Sequence, residues 1–500
     1  MNKKKFLMQG TVLTIIYFLI SSSSMLYRSY LSSNIGTQGL ALYQLIFSIF
    51  VFAVTLSTSG ISLAVTRLVS SAIASGKRSQ IRSIVNKCLL FCLCLSLSIS
   101  CLFLFCSDFC ARVFLGDELA ANSLKILGIG LPFMSLCTCL KGYFLAVDEA
   151  TSSGIADLVE QFLTIGTTFF IFTFIPFDTI EQACVGAMVS STLGEMASFA
   201  LDFYTFKKSL KKNEKLKKEK SNKVFSSLGK IALPCTLSSA ARSALNSAEN
   251  LLIPKQLQLG GASYSGSMVS YGLLHAMALP ILYFPSAFIG SFAGLLIPKI
   301  CKEYEQNHKK SVAYITSKAL KTTLNFGIIC CTFFMFHSSL LSEVVYKTSE
   351  AATFIAVLAP LAPLMYLDLV VDCLLKGLNQ QLNSMKYNIM DSAIRVILIL
   401  IFMRFYGINS YVYIIFFSII FNAGLSLHKV IQVTNVKFDF LKTIFTKIPL
   451  AIFCLYFSYV LPVESDNKML LLIIYIAVSF GIYYLISFVL AGLKNGHHKM

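Results

Sequence analysis

Eleven ionisable side chains lie in otherwise apolar stretches of this 500-residue chain and are the groups best placed to do chemistry. Arg28, Lys141, Asp157, Glu160 and Glu195 precede residue 207, and Arg242, Glu249, Asp368, Asp372, Asp391 and Arg395 follow residue 227. An ionisable group at bilayer depth costs at least about 2.5 kcal/mol, so each must pair, bind a ligand or reach water. Arg28 sits just past the first apolar run. It either snorkels to headgroups or presents its planar guanidinium fork to phosphate oxygens. Arg242 has similar standing, with pairing to Glu249 about two turns on as its other role. Lys141 and Arg395 are further cations that could hold a phosphate or a saccharide. Glu195 stands in Gly194-Glu195-Met196-Ala197-Ser198, small residues that let helices approach closely. Its carboxylate either fixes packing or faces a cavity. Glu160, Glu195, Glu249, Asp368 and Asp372 are the candidate cavity or ion-coupling carboxylates. Asp368 and Asp372 share a helix face at i,i+4, where they would bind a cation or proton or else mark the aqueous end of a helix. His275 is a lone histidine in apolar surroundings, reads as a polar packing residue and is assigned no role.

The elements that position these groups follow from composition. Hydrophobic residues make up 56% and charged residues 13% of the chain, against roughly 25% charged in a soluble domain. Apolar stretches of about 20 residues recur, each long enough to cross hydrocarbon. They fall near 7–27, 39–66, 83–106, 121–146, 155–175 and 182–205. A second set follows near 228–253, 266–298, 314–336, 351–375, 387–405, 409–427, 443–461 and 469–491. The expected fold is an all-α polytopic membrane protein of about fourteen transmembrane helices. Residues 1–206 form a six-helix lobe, 207–227 a linker, 228–428 a second six-helix lobe, and 429–500 two further helices and a tail.

A net charge of +18 raises nucleic acid as a partner, but the basic residues sit in short breaks between apolar runs, a topology pattern. The strongest break carries Lys207, Lys208, Lys211, Lys212, Lys215, Lys217, Lys218, Lys220 and Lys223. Other basic breaks hold Lys77/Arg78/Arg82, Lys302/Lys309/Lys310, Lys386 and Lys429/Lys437/Lys442. The intervening ones hold Asp117/Glu118, Asp178/Glu181, Glu343 and Glu464/Asp466. This alternation places both termini in the cytoplasm of a multi-pass protein of the cell membrane. Met-Asn-Lys-Lys-Lys before an apolar run looks like a signal peptide but lacks a small-x-small cleavage site, so an uncleaved first helix is expected. The 15 cysteines fall mostly inside apolar runs and act as small hydrophobes. No metal site or cofactor is expected from them. Short loops without paired carboxylates argue against a membrane glycosyltransferase, leaving a transporter or a non-transporting scaffold.

An internal repeat favours the transporter. Lys141-Gly142 ends the fourth run and Lys376-Gly377 the tenth, 235 residues later, and Glu160 falls opposite Arg395 at that offset. Tyr43 lies opposite Tyr271 and Arg67 opposite Lys299 in the second pair. Pro280, Pro285, Pro360 and Pro363 remove backbone donors, which a membrane helix tolerates where neighbours satisfy the freed carbonyls.

Gly36-Thr37-Gln38-Gly39-Leu40-Ala41-Leu42-Tyr43-Gln44, Val54 to Leu63, Lys141-Gly142-Tyr143-Phe144, Gly194-Glu195 and Glu249 ahead of Leu252-Ile253-Pro254-Lys255 resemble the stage V sporulation protein B group. That group belongs to the multidrug/oligosaccharidyl-lipid/polysaccharide exporter superfamily, with lipid II flippases of the MurJ type and MATE transporters. The resemblance covers nearly all of the chain. It implies a two-lobed, MATE-like transporter with a central cavity, moving an undecaprenyl-linked saccharide for cell-wall or spore-cortex peptidoglycan. Arg28 matches that group's arginine late in the first helix and Glu249 its acidic residue in the seventh, while Ser21 and Ser33 stand where basic residues are common. The implied partners are the lipid-linked saccharide, membrane lipids and the cell-wall synthesis machinery, with no nucleic acid. A coupling ion, sodium or proton, is not selected by the sequence. A cation-coupled multidrug antiporter is the alternative.

Overall fold

A computed structural model of the protein describes residues 3–76, 78–115, 120–212, 224–436, 440–460 and 467–496. Lys77, Asp117, Glu118, the linker lysines from Lys215 to Lys223, Lys437, Glu464 and Asp466 lie outside the described residues. Among the described residues the regular structure is entirely helical. In order the α-helices are α1 Lys3–Thr58, α2 Ile61–Ala74, α3 Ile81–Cys110, α4 Ala120–Ala146, α5 Ala150–Phe174, α6 Ile180–Lys212, α7 Val224–Leu259, α8 Tyr264–Tyr271 and α9 Leu279–Tyr283. They continue with α10 Ser286–Glu305, α11 Lys309–Phe336, α12 Ser338–Tyr346, α13 Ala352–Leu358, α14 Ala362–Gly377, α15 Gln381–Leu398, α16 Arg404–Thr434, α17 Phe440–Val460 and α18 Lys468–Gly496.

Among the described residues, ten helical runs are long and apolar enough to span a membrane. Two of these, Thr11–Ala74 and Gln381–Thr434, fold at Gly36 (φ 67°) and Gly407 (φ 66°) into two rods each. Only glycine adopts that backbone without strain. With α7 and α17 added, the chain supplies the about fourteen segments expected of it. Large apolar side chains such as Phe105, Phe170, Phe405 and Phe488 stand exposed, as lipid-facing surface must. The inward stripes are small and partly polar instead. Helix α3 buries Ile84, Cys88, Cys92, Ser96, Ser100 and Ser107 at helical spacing, and Ser100 Oγ donates to the Gly128 carbonyl of α4 at 2.6 Å. The fifteen cysteines are free thiols; Cys88, Cys92 and Cys139 are fully buried in one core cluster.

The chain divides into two compact units, Met1–Val269 and Ser270–Met500. Helix α7, placed with the second lobe by the sequence, belongs by its contacts to the first unit. Its hydroxyls and amides fix it to the second rod of α1 and the turn that follows: Thr236 Oγ1 donates to the carbonyl of Ser59, just past α1, Ser247 Oγ to the Ser48 carbonyl at 2.8 Å, and Asn250 Nδ2 to Ser48 Oγ at 3.1 Å.

The internal repeat is present in the packing. A side chain at Gly142 would meet Ser62 O at 2.6 Å and Val65 Cβ at 3.1 Å; one at Gly377 would meet Ile297 O at 3.2 Å and Ile300 Cβ at 3.3 Å. Both neighbours of Gly377 lie 235 residues beyond those of Gly142, the offset of the two Lys-Gly pairs. Arg67 is therefore in register with Lys302 rather than Lys299.

The eighth span shows how proline is accommodated. Pro280 cannot donate to the Ala276 carbonyl one turn back, and residues Gly272–Ala278 widen into a π-helical turn. Tyr346 Oη, from α12, donates to the carbonyls of Ala276 and Met277 at 3.3 Å each, and Tyr366 Oη, from α14, donates to Leu282 O at 2.7 Å. Tyr346→Phe should leave buried carbonyls unsatisfied and lower stability by about 1–2 kcal/mol. Chemical denaturation in detergent checks this, with Tyr475→Phe on α18 as the control expected to be near neutral.

Candidate functional site

In the first unit, the candidate residues gather on facing stripes of α4, α5 and α6. Asp157, Glu160, Thr164 and Thr168 follow one another along α5, and Glu195, Ser198 and Asp202 along α6, both at helical spacing. The helices meet closely because Gly194 has no side chain: a Cβ there would sit 2.2 Å from Thr164 Oγ1 and 2.9 Å from Glu160 O. Lys141 Nζ, from α4, pairs with Asp157 Oδ1 at 2.7 Å. Glu160, Glu195 and Asp202 all lie within electrostatic reach of that lysine and of one another's neighbours. Four carboxyl groups thus surround one ammonium. Such a cluster repels anions, so Lys141 is poorly suited to the phosphate role that the sequence offered it.

Asp202 was missed in the sequence reading. It is fully buried, and neither carboxylate oxygen has a hydrogen-bond partner among the described residues. Its position shortly before the lysine-rich break gives it the look of an interfacial residue, whereas the fold turns it inward.

Arg28 stands apart from this cluster. It is half-buried on the first rod of α1, and its guanidinium donates to Gln44 Oε1 on the second rod at 3.2 Å. A neutral amide partner orients the fork without neutralising it, leaving its charge for an anion. Tyr43 lies beside it. On α7, Arg242 is exposed and Glu249 is buried. Arg242 falls between Thr236 and Ser247, whose bonds fix α7 along the same rod of α1 and the turn after it.

In the second unit, α14, α15 and α16 carry a separate polar network. Asp368 Oδ2 accepts from Asn422 Nδ2 at 3.1 Å, and the same amide reaches Asn388 Oδ1 at 3.3 Å. One turn along α14, Asp372 pairs with the half-exposed Lys376 at 2.6 Å and accepts a bond from Ser384. Asp372 therefore sits toward the aqueous end and Asp368 deeper. Arg395 Nε lies 3.4 Å from Asp391 Oδ2, and Asp391 also accepts from Ser418 Oγ. His275 Nε2 bonds Tyr411 Oη at 2.9 Å and stacks on Tyr271 with ring centroids 4.8 Å apart, a packed polar position. The asparagines and serines of this network carry no charge and so gave no signal in an apolar count.

Because Arg395 and Asp391 are partners, removing one charge should cost more than removing both. Arg395→Leu is expected to destabilise the protein by about 2 kcal/mol, and Asp391→Leu/Arg395→Leu by less. A double-mutant cycle in denaturant measures the difference.

The sequence matches the polysaccharide biosynthesis protein family over residues 6–298, more than half of the chain. The chain belongs to this family. It is 28% identical over 409 residues to stage V sporulation protein B of Bacillus subtilis (strain 168), covering 80% of this chain and 78% of that protein. A second B. subtilis protein, sporulation protein YkvU, is 20% identical over 240 residues, or 47% of this chain and 54% of the relative. Among solved structures, lipid II flippase MurJ in an inward closed conformation superposes with a TM-score of 0.71 at 16% identity, over 96% of this chain and 98% of that one. An inward-facing multidrug resistance MATE family transporter of the MOP superfamily superposes with a TM-score of 0.68 at 14% identity, over 84% and 97%. The fold is that of these transporters, and the protein is a multi-pass membrane protein.

Proposed function

We propose that the protein is an alternating-access flippase that carries an undecaprenyl-linked saccharide, a peptidoglycan or polysaccharide precursor, from the cytoplasmic to the outer leaflet of the cell membrane. The observation that carries this reading is Arg28: an arginine inside a membrane fold, oriented by Gln44 and, among the described residues, not paired with a carboxylate. A desolvated phosphate or pyrophosphate is the natural partner of such a group. The family match and the likeness in fold to a lipid II flippase support the same substrate class. The relationship to stage V sporulation protein B supports a role in sporulation. Both termini face the cytoplasm in this reading, in keeping with the basic breaks.

Binding to the purified protein tests the substrate class. An undecaprenyl-pyrophosphate saccharide should bind at least tenfold more tightly than the same saccharide on an uncharged polyprenol. Equal affinity for the two would remove the phosphate from recognition. The carboxylate cluster gives specific support to a second reading, a cation-coupled multidrug antiporter, for which an organic cation would outcompete both lipids.

A further inference from the structure

Lys447 is a cation outside both six-span repeats. It stands half-buried on α17, and the groups beside it belong to α18. Its ammonium donates to Ser487 Oγ at 3.2 Å and lies 6.0 Å from the centre of the Tyr483 ring. Tyr483 is fully buried, and its hydroxyl donates to the Asn325 carbonyl of α11 at 3.4 Å, so the ring bordering the ammonium is held in place from a third helix. A lysine that only snorkels extends its stem toward water; this one is tied across a helix pair. Neither a hydroxyl nor a ring face neutralises an ammonium, and among the described residues no carboxylate pairs with Lys447.

Its level in the membrane follows from helix geometry. Lys447 is seven residues beyond Phe440 at the start of α17, roughly 10 Å along the axis, and Ser487 is nineteen residues beyond Lys468 at the start of α18, roughly 28 Å along. The chain enters α17 from the break that carries Lys429, Lys437 and Lys442, and α18 returns toward Lys494; Asp439 is the single acidic residue in these stretches. Lys447 and Ser487 therefore meet in the leaflet on the basic side, which the orientation proposed above makes the cytoplasmic one. On α11, the exposed Lys321 stands one turn before Asn325, toward the same side. Phe445 and Ile448 of α17 and Leu485 and Phe488 of α18 are exposed around the pair, as surface in contact with acyl chains.

We infer that Lys447, Ser487 and the Tyr483 ring form a site for the phosphate of an anionic phospholipid in that leaflet, whose acyl chains lie against Phe445, Ile448, Leu485 and Phe488. Basic pockets between transmembrane helices on the cytoplasmic side hold such headgroups. An ammonium has three donors, and Ser487 takes one. The other two are available to phosphate oxygens, as is the proton of the Ser487 hydroxyl, in charge-assisted bonds. Lys321 adds positive charge on the same side. The site lies on the two helices outside the repeat, so its chemistry does not rest on the flippase reading.

Native mass spectrometry of the delipidated full-length protein tests it, with phosphatidylglycerol and phosphatidylethanolamine of identical acyl chains as probes. Wild type should bind phosphatidylglycerol the more tightly. Lys447→Met should lose about fivefold of that affinity, the contribution of one lysine near a membrane surface, with phosphatidylethanolamine unchanged. Lys447→Arg should keep the preference. Lys429→Met removes a lysine of the same basic side, on α16, whose ammonium donates to Gln432 Oε1 at 3.1 Å, and should bind as wild type does. Equal phosphatidylglycerol affinity in wild type and folded Lys447→Met, or an equal loss in Lys429→Met, overturns the site. Displacement of bound phosphatidylglycerol by inorganic phosphate would make this a free-anion site, and tighter binding of undecaprenyl phosphate would make it part of the substrate's path; either result overturns the phospholipid.

Discussion

Arg28→Ala is expected to slow leaflet transfer of an undecaprenyl-pyrophosphate saccharide about 100-fold, with folding intact. Hydrogen bonds to a charged group contribute about 1.5–3 kcal/mol each, and a guanidinium can give two parallel bonds to one phosphate. Loss of about 2.8 kcal/mol corresponds to a factor of 100. Among the described residues the hydrogen-bond partner that the folded protein loses is the Gln44 amide, through one long bond of 3.2 Å on a half-buried side chain, a loss of about 1.5 kcal/mol. Stability and transport therefore separate in this variant. Arg28→Lys keeps the charge but not the fork and should fall between alanine and wild type. Stopped-flow or dithionite-type leaflet assays measure all three; wild-type transfer by Arg28→Ala would remove Arg28 from the site.

The second large effect concerns the fold. Gly142→Val should destabilise the protein by about 3 kcal/mol, because the new Cβ would lie 2.6 Å from the Ser62 carbonyl oxygen and 3.0 Å from Ser62 Cα. These are backbone atoms in α2, and the two helices cannot separate without breaking the bond from Thr66 Oγ1 to the Gly142 carbonyl at 2.8 Å. The equivalent position in the other unit is a built-in comparison. At Gly377 the nearest atoms are 3.2 Å and 3.3 Å away, so Gly377→Ala should be nearly neutral while Gly142→Ala already costs about 1–2 kcal/mol. Denaturation midpoints in detergent measure both. Equal costs at the two positions would refute the asymmetry.

Much of this architecture is written locally. Apolar run length gives the spans, because hydrocarbon thickness leaves a helix little choice. The two Lys-Gly pairs give the repeat, because a glycine at a close helix crossing cannot be replaced freely. The register of the second span is not local: Arg67 and Lys299 look equivalent in a linear count, and only the contacts of Gly142 and Gly377 pair Arg67 with Lys302. The site is less legible than the fold. The charges on Arg28, Glu160 and Glu195 are conspicuous in apolar surroundings, but their roles depend on partners. Lys141 and Arg395 look like Arg28 until Asp157 and Asp391 are placed beside them. Asp202 sits near a basic break, and its burial arises only when α6 packs on α4 and α5. Asn388 and Asn422 join Asp368 through amide bonds that no charge pattern records.

The central claim is transport of a lipid-linked saccharide, and the most direct measurement is its movement between leaflets. Purified protein in liposomes containing a fluorescent undecaprenyl-pyrophosphate saccharide should bring the label to both leaflets at a rate proportional to protein content, and protein-free liposomes should not. Absence of any such movement, with export of an organic cation by the same vesicles instead, would contradict the account and establish the antiporter.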